Sequence, residues 1–468
     1  MGEMDSSSQV LHLLCSFLLI TIIFLILKPL KKAKPSKSKQ QQQPPLLPPG
    51  PRKLPIIGNL HQLSSSKLLP HRRLLELANL YGPLMHLQLG QLQTIVVSSA
   101  EMAKQVMKTH DLTFSSRPFN LAISTIFHNL DLVLAPYGEY WRQLKKLCVL
   151  ELLSAKRVAS FLPIREQEVA RLIADICGKQ GTATNVSRMI HSLTYRTISR
   201  SAFGKLYAVE SSFVPVAMDI LTVGSGFRVH DVFPSFKFLP LITGVRSRLQ
   251  KLKRESDQII SSIIDEHITA AKAGEGEKEE GVDDLVDVML KLQENADLGF
   301  TLTTNSVKAI LLDMFVAGSE TSSTLLEWTM SELIREERVM KKAQAEVRAV
   351  FGKRGKVEET GIHELNYLKM VIKESMRVHP PLPLLVPRES LNQCEMEGFQ
   401  IPEKTQVIVN AWAIGRDPKC WSEPERFYPE SLDTQKKSQY DDQFEYIPFG
   451  TWRRMCPGIT FRHRTSSC

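Results

Sequence analysis

The chain has 468 residues, 43% hydrophobic and 23% charged, a balance that excludes a disordered chain and allows a large core. Its formal net charge is +9, which suits a membrane surface or an acidic protein partner. The basic residues form no long stripe and no zinc-finger or RNP-type signature occurs, so nucleic acid is not an expected partner. The cysteines, Cys15, Cys148, Cys177, Cys394, Cys420, Cys456 and Cys468, include no CxxC pair. That excludes a disulfide framework and fits a reducing compartment.

In chain order, residues 1–9 precede an uncharged, mostly apolar run over 10–27, long enough to span a bilayer as one helix. Glu3 and Asp5 lie before it; Lys28, Lys31, Lys32, Lys34, Lys37 and Lys39 follow it. That bias predicts an uncleaved, single-pass anchor with residues 1–9 lumenal and the body cytosolic. Residues 28–53, basic and then "KQQQQPPLLPPGP", read as a stiff hinge. The remainder, 54–468, reads as one domain. Residues 86–99 are strand-like around a glycine turn. Helical periodicity covers 160–178, 245–271, 305–335 and 340–351, a charged loop lies over 273–284, and strand-like pieces return at 394–409. The fold class expected is mainly α with a minor β portion, behind a single N-terminal transmembrane helix.

Four local patterns carry chemistry, and each has a bland alternative. In "PFGTWRRMCPG", Cys456 follows Arg453 and Arg454 and precedes an expected helix start. That setting favours a thiolate, which serves as nucleophile, redox sensor or metal ligand, unless Cys456 is a plain buried cysteine. In "KESMR", Glu374 and Arg377 share a helix face. With Arg426 of "PERF" they form either an ionic lock around Glu374 or a surface pair of little worth. In "FVAGSETSS", Gly318 inside a long helix marks close packing, or a widened turn at which Glu320 and Thr321 relay protons. In "YWRQLKK", Trp141 and Lys145 lie on one face and either receive an anion or belong to an ordinary amphipathic helix.

The order of these pieces, from Trp141 and Lys145 through Ala317–Thr321, Glu374-x-x-Arg377 and Pro424–Phe427 to Phe449–Gly458, resembles the cytochrome P-450 superfamily, the haem-thiolate monooxygenases. "YGEYWRQLKK", "NAWAIGRDP" and "PERFYPE" resemble plant microsomal members that oxidise terpenoids and other specialised metabolites. The resemblance implies haem b with Cys456 as the iron's axial ligand. It implies haem-propionate contacts from Trp141, Lys145, Arg388 and Arg454, and a structural lock of Glu374, Arg377 and Arg426. Thr321 matches the threonine that guides protons to bound oxygen, and Glu320 its acidic neighbour. The implied reaction inserts one atom of O2 into a hydrophobic small molecule, with NADPH electrons arriving through a flavoprotein reductase at the endoplasmic reticulum membrane. The expected pocket draws on 115–129, stretches of 218–243, 314–317 and 382–386, with Phe127, Phe227, Phe233 and Phe315 nearby.

Three departures accompany the resemblance. Lys145 stands where the family usually has arginine, keeping the charge without the bidentate fork. Trp452 stands where the cysteine loop of the family has glycine, a position that admits positive φ. The family continues beyond Phe461, whereas this chain reads "RHRTSSC" and stops, so the domain is expected to lack the usual C-terminal segment. A catalytically silent relative that folds poorly, or binds haem without turnover, is therefore the alternative to an active oxygenase.

Overall fold

The computed structural model describes residues 46–64, 68–205, 213–226, 228–273, 283–294, 300–352, 357–434 and 444–461. The expected anchor over 10–27, most of the hinge, most of the charged loop, Phe227 and the final "RHRTSSC" lie outside these residues. Among the described residues no helix is long and apolar enough to cross a membrane.

From Leu46 onward the chain packs as one unit, mainly helical. Helix α1 (Pro70–Tyr81) begins on a proline, which needs no amide partner there, and stops at Gly82, whose φ is 102°. The strand-like stretch forms a hairpin of β1 (Leu84–Leu89) and β2 (Leu92–Val97), turned by Gly90 at φ 60°. Among shorter helical turns, the longer helices that follow are α2 (Glu139–Leu147), α3 (Leu162–Cys177), α4 (Val186–Phe203), α5 (Val214–Gly224), α6 (Val245–Ala273) and α7 (Leu285–Glu294). The periodicity over 160–178 is divided: a short helix ends at Ser160 and α3 starts at Leu162. Pro163 has no N–H to continue the earlier ladder but fits a first turn.

Helix α8 (Thr304–Arg335) is capped by Thr303, whose Oγ1 accepts from the Ser306 amide at 3.1 Å. Its stretch Ala309–Phe315 is almost entirely buried, as expected of a helix crossing the core rather than lying on it. It packs on α4 at Gly318, where an added Cβ would lie 3.1 Å from Ile198 Cδ1. The glycine serves close approach: α8 is helical throughout and shows no widening at 317–318. Helices α9 (Glu337–Phe351) and α10 (Asn366–Val378) pack on the far half of α8.

The second sheet region supplies β3 (Arg388–Glu389), β4 (Cys394–Met396), β5 (Phe399–Ile401) and β6 (Gln406–Val409). The four-stranded sheet runs β1-β2-β6-β3, with β2 and β6 parallel and β3 antiparallel to β6; β4 and β5 form a separate hairpin. Buried β6 carries no outward polar alternation because both its faces are covered. This arrangement brings β3, α2, α8 and the 448–458 loop around one cavity.

Candidate active site

The loop from Pro448 to Gly458 is folded back on itself. The Cys456 amide donates to Phe449 O at 3.0 Å, Gly450 to Ile447 O at 3.0 Å and Met455 to Trp452 O at 3.0 Å. Two residues take the left-handed conformation, Gly450 at φ 62° and Trp452 at φ 56°. Trp452 therefore occupies a backbone conformation that glycine enters freely and a tryptophan enters at a cost. It does not clash, because its side chain is 43% exposed and lies under the Lys108 ammonium, 5.2 Å from the ring centroid. A helical turn starts at 459, as the apolar pattern after Pro457 predicts.

Cys456 lines a cavity whose walls also include Trp141, Lys145, Arg388, Arg454 and Thr321. Arg454 is buried; its Nε donates to Ser115 O and its Nη2 to Ala135 O, each at 2.7 Å, and its guanidinium lies 3.9 Å from the Trp141 ring centroid. Its Nη1 is buried with no hydrogen-bond acceptor among the described residues. Arg388, on β3, donates to Asp111 Oδ1 and Phe114 O at 3.4 Å and to Thr451 O at 3.2 Å. Lys145 Nζ donates to the Arg453 carbonyl and sits 5.4 Å from the Trp141 ring centroid. The indole N–H expected to face an anion donates to Leu132 O at 2.9 Å instead. Trp141 thus serves as a platform under the cations, since a buried indole N–H takes the nearest carbonyl.

Burial, and then the Arg454 charge, pulls the Lys145 ammonium down to about 8. Burial, and then Arg388, pulls Arg454 down to about 9. The cations crowd one another, and the nearby carboxylates Asp111 and Asp131 only partly offset them. Such a cluster favours an anionic ligand arm, which would offset the repulsion and occupy the free Nη1.

Thr321 faces the cavity and its Oγ1 donates to Ala317 O at 2.8 Å. Glu320 does not: its Oε2 accepts from Tyr195 Oη at 2.8 Å and lies 3.9 Å from His191 Nδ1, on the side of α8 that meets α4. One helical step of 100° separates the two directions. Phe315 likewise turns from the cavity to stack among Tyr195, Phe203 and Phe213. Phe233 packs in the cluster around Leu74, and the described residues of 218–243 do not line the cavity. The walls include Leu132, Val133, Ile198, Leu382, Leu385 and Val386.

Of the three residues of the expected lock, two meet through their side chains and the third does not. Glu374 and Arg377 are both buried and paired twice, at 2.8 and 2.7 Å. The Tyr428 amide donates to Glu374 Oε1 at 2.9 Å. Arg426 contributes its backbone carbonyl, which accepts from Arg377 Nη2 at 2.9 Å, while its exposed guanidinium pairs with Glu423 at 2.9 Å. The turn at 423–428 points that side chain to solvent, where exposure costs it no desolvation.

Four charged residues in or beside the site were not anticipated individually: Arg117, Asp111, Asp131 and Asp313. Arg117 is buried and donates to the carbonyls of Val133, Val386 and Pro387. Asp313 is buried on α8, and its Oδ2 accepts from the Leu132 and Val133 amides at 2.7 and 3.2 Å. The available signal was a lone acid inside the apolar run "AILLDMFVAG", one turn before Ala317 on the cavity face.

Comparisons with known proteins agree with this geometry. The family model described as Cytochrome P-450 matches residues 48–463. Desmethyl-deoxy-podophyllotoxin synthase of Sinopodophyllum hexandrum is 47% identical over 449 residues, covering 96% of this chain and 86% of the relative. Premnaspirodiene oxygenase of Hyoscyamus muticus is 44% identical over 455 residues, covering 97% and 88%. A solved zebrafish cytochrome P-450 with progesterone shares the fold at a TM-score of 0.70 and 24% identity, covering 86% of this chain and 90% of that one.

Proposed function

The chain belongs to the cytochrome P-450 family, and from that premise we propose that it is a membrane-anchored haem-thiolate monooxygenase. Its substrate would be a hydrophobic small molecule, a terpenoid or related plant specialised metabolite, into which one atom of O2 is inserted. The observation that carries this reading is the meeting, in one cavity, of the Cys456 thiol with the buried, unspent Nη1 of Arg454. That donor set fits haem b, which has an iron for the thiolate and carboxylate arms for the cations. When bound, haem supplies the O2 activation that no side chain offers.

The side chains have separate tasks in this reading. Cys456 Sγ holds the iron. Arg454, Lys145 and Arg388 hold the propionates, with Trp141 packed beneath the guanidinium. The Thr321 hydroxyl rotates from Ala317 O to hold or pass a proton at Oγ1. Glu320 faces the α4–α8 groove, bonded to Tyr195, so its part in the relay is one step removed from the cavity. The apolar walls exclude water and fit an apolar substrate. The Glu374–Arg377 pair secures α10 to the 424–428 turn. Electrons would come from NADPH through a flavoprotein reductase, whose acidic surface the net charge of +9 suits. Exposed Ile56, Ile57, Val229 and the Phe238, Leu241 and Ile242 group support seating on a bilayer. Gly90 links the two regions, its amide donating to Ile57 O while Gln91 donates to Val232 O. With the apolar run over 10–27 this supports a single-pass protein of the endoplasmic reticulum with its catalytic domain in the cytosol.

The test is the carbon-monoxide difference spectrum of the reduced protein in membranes. A red-shifted Soret band, lost in Cys456→Ser, is the expected result. No haem band, or a band unchanged by Cys456→Ser, overturns the reading. A second reading, haem binding without turnover, is favoured by Trp452 at φ 56° in the cysteine loop. It predicts the shifted band with no product in reductase-supported assays.

A further inference from the structure

The turn 130–135, "LDLVLA", is a junction of hydrogen bonds. Its carbonyls take the donors of the cationic cluster: Trp141 Nε1 on Leu132 O and Arg117 Nε on Val133 O, both at 2.9 Å, and Arg454 Nη2 on Ala135 O at 2.7 Å. Its amides are held from the other direction. Asp313 Oδ2 on α8 takes those of Leu132 and Val133, and Asp131 Oδ2 takes that of Leu134 at 2.5 Å. Asp313 stands about 180 residues away in sequence, so α8 fixes this turn through a single carboxyl group. Asp313 also lines the cavity, with Met314 and Ala317. Peptide groups are planar and rigid, so an amide held on one side fixes the direction of the carbonyl attached to it. The Val133 amide, on Asp313, and the Leu132 carbonyl, on Trp141, belong to one peptide group; the Leu134 amide, on Asp131, and the Val133 carbonyl, on Arg117, belong to the next.

We propose that Asp313 is a positioning residue that links the substrate-facing helix to the cationic cluster: by holding the Val133 amide it sets the Leu132 carbonyl from which Trp141 hangs, and by anchoring the turn at Leu132 and Val133 it steadies the neighbouring carbonyls that Arg117 and Arg454 grip. Contact between a substrate and this part of α8 is thereby passed to the residues that would hold the haem carboxylates. The link to haem rests on the proposed function; the link between Asp313, the turn and Arg454 does not.

The experiment separates the two. Asp313→Asn retains an oxygen for both amides; Asp313→Ala removes it, with Asp313→Ser in its place should the alanine variant fail to fold. Hydrogen exchange is followed in segments 130–135 and 448–458, together with the rate of haem loss to an apoprotein scavenger. The alanine variant should exchange at least tenfold faster in both segments, and the asparagine variant should match the wild type. Haem loss should rise about tenfold with alanine and stay within twofold with asparagine. Adding Trp141→Phe to Asp313→Ala should then add less than it does alone, because both act through Leu132. Faster exchange confined to 130–135, an asparagine variant as impaired as alanine, or strictly additive effects would overturn the proposal. A wild type without haem refutes the proposed function instead, and exchange in 448–458 alone then decides whether the linkage exists.

Discussion

Trp452 is strained for a reason visible in one dihedral angle. A non-glycine residue at φ 56° gives up about 1–2 kcal/mol relative to its relaxed conformation. The Lys108 contact over its ring returns roughly 0.5–1 kcal/mol at an exposed site. Replacement by glycine relieves the strain but loses that contact and adds freedom to the unfolded chain. Trp452→Gly should therefore lie close to wild type in stability, and Trp452→Ala, which keeps the strain and loses the contact, about 1 kcal/mol below the glycine variant. Denaturant unfolding of the three proteins checks this inverted order, since alanine normally outranks glycine. The lock offers a second test. Glu374→Ala leaves a buried guanidinium unpaired and should cost about 3–5 kcal/mol. Arg426→Ala, losing only an exposed pair with Glu423, should cost no more than about 1 kcal/mol. The same denaturant series measures both. The motif spacing announced Glu374 and Arg377, because three residues on one helix face bring them together. It could not announce that Arg426 offers a carbonyl and not its guanidinium, because that depends on the course of the turn.

At the scale of elements, α8 decides most of the site. Its period places Asp313, Met314, Ala317 and Thr321 on the cavity and turns Phe315 and Glu320 toward α4. Gly318 sets how close α4 comes. Gly318→Ala gains about 1 kcal/mol of helix propensity and crowds Ile198 Cδ1 at 3.1 Å, a methyl end that can give slightly. That variant should be near neutral, whereas Gly318→Leu should lose about 1–3 kcal/mol by overpacking, read as a lower unfolding midpoint. The long helices were legible because an apolar stripe repeats over many turns. The break at Phe161 was not, because the stripe continues across it and only Pro163 interrupts the backbone ladder.

For the whole molecule, charge is unevenly placed: beside the cationic cluster lie the carboxyls of Asp131 and Asp313. Burial raises Asp131 from 3.8 to about 6, against its backbone hydrogen bonds and the nearby arginines. Burial, and then Asp131, raises Asp313 as well. A raised carboxyl pKa means that the folded state binds its proton more tightly than the unfolded one. The resulting stabilisation is complete below about pH 4 and fades as pH climbs through about 6. Asp131→Asn should therefore flatten the fall in thermal stability across that interval, with the difference between variant and wild type growing toward pH 6. Equal slopes in the two proteins would contradict the assignment.

The sequence by itself determined the helical class, the strand hairpin, the cysteine loop and its left-handed position, and the family to which the chain belongs. These depend on short spacings and on residue types with fixed conformational or chemical demands. Only the tertiary structure decided where donors and acceptors are spent. Trp141 gives its N–H to Leu132, Arg426 its carbonyl to Arg377, and Asp313 its oxygen to amides far away in the chain. A hydrogen bond between distant segments depends on how helices and turns pack, and packing is settled by the whole core at once.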